Sequence, residues 1–141
     1  MKPTSMYLGI LLSVVGFVVI GHSEMCRADW VLLDKNEDAD FYYDREDLKH
    51  SSSGIVTLWI KQVYTKKGGK DVGTAFGENF ENLDHSVTLS EVDCVGRMVV
   101  FLSTVYFSKD KTVLEIKVSA SRWEFISGGT TFDILYSKVC Q

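Results

Sequence analysis

Apolar and polar side chains alternate along most of the chain after Trp30, and this period of two predicts β-strands. The alternation is strictest in Thr112–Ser119, which indicates a strand with one buried and one solvated face. The strands that we predict are Trp30–Leu33, Phe41–Asp44, Ile55–Thr65, Val87–Cys94, Arg97–Phe107 and Thr112–Ser119. Gly96 is expected to form a bulge or bend between two of them.

Residues 66–86 interrupt this pattern because they carry glycine and charge without a regular period. We predict a loop for Lys66–Lys70, and irregular chain with room for one helical turn for residues 71–86.

The period changes again near the end of the chain, where it becomes helical. Phe132, Leu135, Tyr136 and Val139 stand at i, i+3, i+4 and i+7, which is one stripe of an amphipathic helix. Thr130 followed three residues later by an Asp resembles a capping box at its start. The predicted architecture is therefore an α+β fold, in which an antiparallel sheet of about six strands carries a C-terminal α-helix.

Composition agrees with a single globular domain, since 45% of the 141 residues are hydrophobic and 24% are charged. The 15 Lys and Arg residues are outnumbered by 19 Asp and Glu residues, which gives a net charge of -4 at pH 7. Binding to nucleic acid phosphates needs a basic surface, so we expect no nucleic acid partner.

The beginning of the chain has the pattern of a secretory signal peptide. Residues 6–21 contain no charged side chain and follow Lys2. This run is shorter than the about 20 residues that a membrane-spanning helix needs. Small residues permit cleavage after Ser23 or after Ala28. We predict a signal peptide at residues 1–28 and a folded domain at residues 29–141, exported to the periplasm, the cell surface or the medium.

The cysteines favour cleavage after Ala28. This cut removes Cys26 and leaves Cys94 and Cys140, an even number in an oxidising compartment, which predicts a disulfide between them. That bond would attach the C-terminal helix to the sheet. Cleavage after Ser23 would instead leave an odd thiol, and two buried reduced thiols are the other alternative. The Glu before Met25 and Cys26 fits a lipidation site poorly, so we expect no lipid anchor.

The acidic segment Asp34–Asp38 has the D-x-N-x-D spacing of the first three ligands in a calcium-binding loop. The match ends there, because Ala39 stands where the loop needs Gly and Arg45 stands where it needs Glu. We interpret the segment as a solvated turn between two strands.

Two segments that contain histidine are further candidates for chemistry. His50–Gly54 places an imidazole beside three serines, but it lacks the G-x-S-x-G turn of a serine nucleophile. Asp84 and His85 lie near Glu78 and Glu81, but a metal site needs three or four converging ligands. We interpret both segments as polar surface and predict no catalytic residue, no metal site and no cofactor.

Two surfaces are candidates for binding. The basic cluster consists of Lys61, Lys66, Lys67 and Lys70, and it could contact an acidic partner. The other surface is apolar and rests on the assumption that Gly96 keeps the register of the strands. Cys94, Met98, Val100 and Leu102 would then face the helix. Val99, Phe101, Val105 and Phe107 would form the opposite face. We hypothesise that sheet curvature or a second copy of the chain, in a homodimer, covers that face.

Several segments, in this order and spacing, resemble one family of bacterial envelope proteins. They are Trp30–Leu32, Phe41–Asp44, Val56–Tyr64, Asp93–Cys94, Val105–Phe107, Trp123–Ile126 and Leu135–Cys140. Together they resemble the surface-adhesin protein E family across nearly all of residues 29–141. The chain departs from that family in lacking a lipidation box and in having Ser127-Gly128-Gly129 where a Pro-Gly turn is expected.

The resemblance implies a six-stranded antiparallel sheet with a C-terminal helix tied to it by a disulfide. It also implies a non-enzymatic, adhesin-like module that binds a protein partner, either a host matrix protein or an envelope component. The alternative is a soluble periplasmic accessory or assembly protein without an adhesive role, which the missing lipidation box favours.

Overall fold

The computed structural model describes residues 27–80, 82–118 and 121–141. The predicted signal peptide lies outside the described residues except for Arg27 and Ala28, and Cys26 lies outside them as well. None of the helices in the described part of the chain is long and apolar enough to cross a membrane.

The described residues form a mostly antiparallel β structure with two α-helices. The strands are β1 Trp30–Lys35, β2 Ala39–Asp44, β3 Lys49–His50, β4 Ile55–Tyr64, β5 Leu83–Asp93, β6 Met98–Ser108, β7 Val113–Val118 and β8 Glu124–Phe125. The helices are α1 Lys66–Phe76 and α2 Thr131–Val139, and a short 3-10 helix covers Glu78–Phe80.

All strands belong to one antiparallel sheet in the order β1-β2-β4-β5-β6-β7, with β3 paired to β4 and β8 paired to β6. The sheet therefore has eight strands, and the prediction of about six was wrong in number. The two additional strands, β3 and β8, are two residues long, which is too short to produce a readable alternation.

The predicted loop at residues 66–70 is also wrong, because these residues begin α1. The Thr65 side chain accepts a hydrogen bond from the Gly68 N–H at 3.1 Å and so caps the start of the helix. Residues 71–86 are likewise more regular than predicted, since α1 continues to Phe76 and β5 begins at Leu83.

The hydrophobic core lies between α2 and one side of the sheet, which we call the inner face. Val56, Leu58 and Ile60 alternate along β4 toward this face and are at most 5% exposed. Leu135 and Val139 of α2 are equally buried against them. Each fully buried aliphatic side chain contributes about 1.5–3 kcal/mol, so this layer fixes the position of α2.

A hairpin turn between β5 and β6 changes which β6 residues face α2. Asp93 accepts hydrogen bonds from the N–H groups of Val95 and Gly96 at 2.9 and 2.8 Å, and Val92 pairs with Val99 across the two strands. The inner face therefore continues from Val92 to Val99. We predicted that Met98, Val100 and Leu102 face the helix, on the assumption that the alternation of β5 continues through Gly96 into β6. This prediction was wrong, because the turn shifts the alternation of inner and outer residues by one position.

The predicted disulfide joins Cys94, at the end of β5, to Cys140, at the end of α2, with 5.4 Å between the Cα atoms. The Tyr136 hydroxyl donates to the Cys94 carbonyl at 2.8 Å. The Arg97 guanidinium lies 4.7 Å from the centre of the Tyr136 ring and is hydrogen-bonded to Asp133. Covalent, polar and cation–π contacts thus hold the same helix on the sheet.

Candidate binding site

The four lysines predicted as one basic cluster lie in three different environments. Lys66 and Lys70 line an open cleft beside α1. Lys67 is paired with acidic side chains. Lys61 follows Ile60 in β4 and therefore points to the opposite, outer face of the sheet, where its Nζ lies 5.7 Å from the centre of the Trp30 ring. Only two of the four residues share a site.

The cleft has a volume of about 930 Å³ and lies between α1 and the beginning of β5. This volume is within the range of small-molecule sites, about 300–1,000 Å³, and the cleft is open to solvent. Its lining residues are Tyr64, Thr65, Lys66, Gly69, Lys70, Gly73, Thr74, Gly77, Leu83, Asp84 and Lys109.

Glycines create the space for this cleft. Gly69, Gly73 and Gly77 recur every four residues and line the cleft, so this row of positions carries no side chains, while Lys66, Lys70 and Thr74 line the cleft from the neighbouring row. Gly77 ends the helix with φ of 108°, a conformation that L side chains rarely adopt. The glycines therefore lower the intrinsic stability of α1 and at the same time open the surface beside it.

The cleft is positively charged although the whole chain is acidic. Lys66, Lys70 and Lys109 are exposed, and none of them forms an ion pair within the described residues. The acidic lining residue Asp84 is hydrogen-bonded to His85, with 2.7 Å between its Oδ2 and the His85 Nδ1. Lys109 was missed in the sequence because it lies on the distant turn after β6, which only the fold brings close.

Lys67 has a structural role instead. Its Nζ lies 2.5 Å from Asp38 and 3.3 Å from Glu37, and the hydrogen bond to Asp38 is the main reason that the pKa of Lys67 is raised. Lys67 is half-exposed, so these pairs contribute little stability individually. They orient the first turn of α1 toward the turn between β1 and β2.

That turn is the segment with calcium-loop spacing, and its polar groups hold both helices. The Thr65 hydroxyl donates to the Glu37 carbonyl at 2.7 Å, and the Thr131 hydroxyl of α2 donates to Asp34 at 2.6 Å. The Asn36 side chain accepts from the N–H groups of Asp38 and Ala39, both at 2.9 Å. The acidic segment thus connects α1, α2 and the sheet.

The histidine segments have local partners. Ser51 accepts a hydrogen bond from the Ile55 N–H at 3.0 Å and lies 2.9 Å from the Ser53 hydroxyl, as in a polar turn. His85 stacks on Phe107 with 4.7 Å between the ring centres. Within the described residues, no three His, Cys, Asp or Glu side chains converge in a way that could hold a metal ion.

The four apolar residues predicted to share a face are divided between the two faces. Val99 belongs to the core, and Phe101 packs edge-on against Phe132 of α2 at 5.3 Å. A register shift between Phe101 and Ser103 then changes the parity of β6. Val105 and Phe107 consequently lie on the outer face.

On that outer face Val105 pairs with Ile116, which is 61% exposed, and Val118 is 80% exposed. The predicted homodimer stays a prediction.

The fold and the cleft together define a class: an antiparallel sheet with a disulfide-linked helix and an open, charged binding surface. Residues 30–141 match the family model of surface-adhesin protein E. The chain therefore belongs to the surface-adhesin protein E family, as the resemblance in the sequence predicted, and is a surface-adhesin-like protein. A search of curated proteins finds no match.

Proposed function

We propose that this protein is an exported, non-enzymatic envelope protein that binds another protein through the lysine cleft. The observation that carries the proposal is the group of three exposed lysines, Lys66, Lys70 and Lys109, without ion pairs in the described residues of a family member. Family membership supports an adhesin-like role. The partner is a host matrix protein or an envelope component that presents acidic side chains.

Charge supports an acidic partner. The chain has a net charge of -4, so an acidic protein would be repelled by most of its surface and attracted to this cleft. Such complementarity mainly raises the association rate and the specificity of binding.

We also propose that the mature chain begins at Asp29. The Asp29 N–H donates to the Asp44 carboxylate at 3.0 Å, and Asp44 is only 6% exposed. Cleavage after Ala28 would turn this N–H into a charged ammonium, and the hydrogen bond would become a charge-assisted one. The Arg45 guanidinium, 2.5 Å from the Asp29 side chain, would hold the same residue. Intact mass of the exported protein measures the cleavage site directly.

The binding proposal is tested with two triple variants of equal charge. Lys66→Ala, Lys70→Ala and Lys109→Ala remove the cleft lysines. Lys35→Ala, Lys49→Ala and Lys138→Ala remove three exposed lysines elsewhere. Immobilised mature protein is exposed to envelope and host-matrix extracts at low and high salt. We expect the cleft variant alone to lose salt-sensitive partners; equal retention by both variants would contradict the proposal.

Cell fractionation and surface protease treatment then separate the two candidate roles. Accessibility from outside the cell supports an adhesin-like function. Recovery only in the soluble periplasmic fraction would support the accessory or assembly role instead.

A further inference from the structure

A second groove lies on the inner face of the sheet, between α2 and the aromatic side chains below α1. Its volume is about 430 Å³, which is within the range of small-molecule sites. It is lined by Phe41, Ile60, Gln62, Tyr64, Ser86, Thr88, Phe101, Thr104, Tyr106 and Phe132. Apart from Tyr64, these residues are not part of the lysine cleft.

The floor of this inner groove is polar, although it continues a hydrophobic core. The hydroxyls of Thr88 and Thr104 lie 3.0 Å apart across β5 and β6. The Tyr64 and Ser86 hydroxyls lie 3.1 Å apart across β4 and β5. Each pair uses one hydroxyl hydrogen and leaves the second for a ligand.

Gln62 lies between Phe41 and Ser86 in the sheet, and its amide has no hydrogen-bond partner within the described residues. The floor therefore offers donors and acceptors at neighbouring positions.

The walls of the inner groove are aromatic. At one end Phe101 and Phe132 form an edge-to-face pair with 5.3 Å between ring centres. At the other end Tyr106 meets Phe80 in a second edge-to-face pair, also at 5.3 Å. These pairs hold the rings rigid on both sides of the polar floor.

No charged side chain lines the inner groove among the described residues. Burial raises the pKa of Tyr64 and of Tyr106, so both phenols stay neutral and can donate hydrogen bonds. Lys117 lies beside one wall, with its Nζ 5.6 Å from the centre of the Tyr106 ring, but it is placed over the Phe76 ring at 3.3 Å and paired with Glu115 at 3.9 Å. The lining thus favours a neutral ligand over an anion or a cation.

The polar floor also argues against other neutral ligands. A hydrocarbon would cover the Gln62 amide without offering it a partner, at a cost of about 1–3 kcal/mol for a buried polar group, and would leave the free hydrogen of the threonine pair unused. A peptide segment would need main-chain partners, but the floor strands already pair with one another. A pyranose ring has C–H faces for the aromatic walls and hydroxyls for the floor.

We propose that this inner groove binds a neutral saccharide, with Gln62, Thr88 and Thr104 as hydrogen-bonding residues and Phe101, Phe132 and Tyr106 as packing surfaces. The proposal goes beyond the lysine cleft and does not depend on a protein partner. A glycan carried by a surface and a free sugar share this chemistry.

The test is an NMR titration of the mature protein with three probes: the methyl β-glycosides of glucose, galactose and N-acetylglucosamine. We expect at least one probe to cause saturable shifts at the Gln62 side-chain amide and at the backbone amides of Thr88 and Thr104. Gln62→Leu should weaken that affinity about 2–10-fold, the equivalent of one hydrogen bond. Gln141→Leu, the same substitution at an exposed residue of the described chain, should leave the affinity unchanged.

Thr88→Val provides an independent variant of similar shape and should also weaken binding. The absence of saturable shifts with all three glycosides would overturn the proposal, and so would unchanged affinity in both Gln62→Leu and Thr88→Val. Saturable shifts in the inner groove only with octanol or only with a neutral tripeptide would overturn it as well. The lysine triple variant should bind the glycoside normally, which distinguishes failure of this proposal from failure of the protein-binding proposal.

Discussion

The two α-helices contrast in what holds them. α2 has nine residues, a threonine cap, two side chains at most 3% exposed and a disulfide at its end. α1 has eleven residues, of which three are glycines, and it is held by its contacts with the turn between β1 and β2 and by aromatic side chains. The signals for α2 are local in the sequence, whereas α1 depends on its neighbours. The predictions below test this difference.

The largest expected effect is on α2. Cys140→Ser opens a link between residues 46 apart, and the chain-entropy estimate for such a loop is about 4 kcal/mol of unfolding free energy. Urea denaturation should measure this loss. Hydrogen exchange should increase first at residues 130–141 and leave α1 protected. An equal increase in exchange in both helices would contradict the expectation that the disulfide holds α2 and not α1.

The next effect is on α1. A Cβ at Gly68 would lie 2.0 Å from the Asp38 carbonyl oxygen, so Gly68→Ala must move the helix away from the β1–β2 turn. Overpacking of this kind costs about 1–3 kcal/mol. Urea denaturation should show that loss, and hydrogen exchange should localise it to residues 65–76. Wild-type stability would mean that α1 does not depend on this contact.

Gly73→Ala is the matched substitution in the same helix, and we expect it to raise the free energy of unfolding where Gly68→Ala lowers it. A Cβ there has its nearest heavy atoms at 3.8 Å, which is ordinary van der Waals contact. Alanine reduces the entropy of the unfolded chain, so we expect about 0.5–1 kcal/mol of stabilisation in the same urea experiment. A lower free energy of unfolding would indicate that Gly73 is required for the packing of α1 and does not only line the cleft.

The smallest effect concerns pH at the start of α2. The Gly129 N–H donates to Asp133 at 2.8 Å and, with help from Arg97, lowers the pKa of that carboxyl. A lowered folded-state pKa gives stability above the unfolded value of about 3.9, and this stability is lost as the pH falls through the folded value. NMR titration of the carboxyl carbon should detect the shift. Asp133→Asn should remove this part of the acid sensitivity, and an unchanged acid profile would argue against it.

The sequence predicted the features that repeat locally and missed those that depend on distant contacts. The long strands and α2 follow from alternation and from the Thr130 cap, which accepts from the Asp133 N–H at 3.2 Å. α1 was missed because glycine is a poor helix former, and only the contact with Asp38 explains Gly68. The faces of β6 were misassigned because a hairpin turn and a register shift each change the parity.

In the candidate site too, residues close in the sequence were found and residues brought together by the fold were missed. Lys66 and Lys70 were grouped because they are close together in the sequence, and α1, which was not predicted, places both beside the cleft. Lys61 was wrongly grouped with them because neighbouring strand residues alternate between faces. Lys109 and the inner groove depend on strands that are distant in the chain, and no local pattern reports them.

The order of the strands in the sheet has a consequence for folding and for disulfide formation. Neighbouring long strands in the sheet are also neighbours in the chain, apart from the two-residue β3 between β2 and β4. Pairing between strands that are adjacent in the chain requires shorter loops to close than distant pairing, which favours faster folding than a sheet of the same size with crossed connections. Cys140 follows every strand in the chain, so it becomes available to Cys94 only after all the strands have been synthesised. Because residues 29–141 contain two cysteines, an exported domain with these bounds would need an oxidant but no disulfide isomerase.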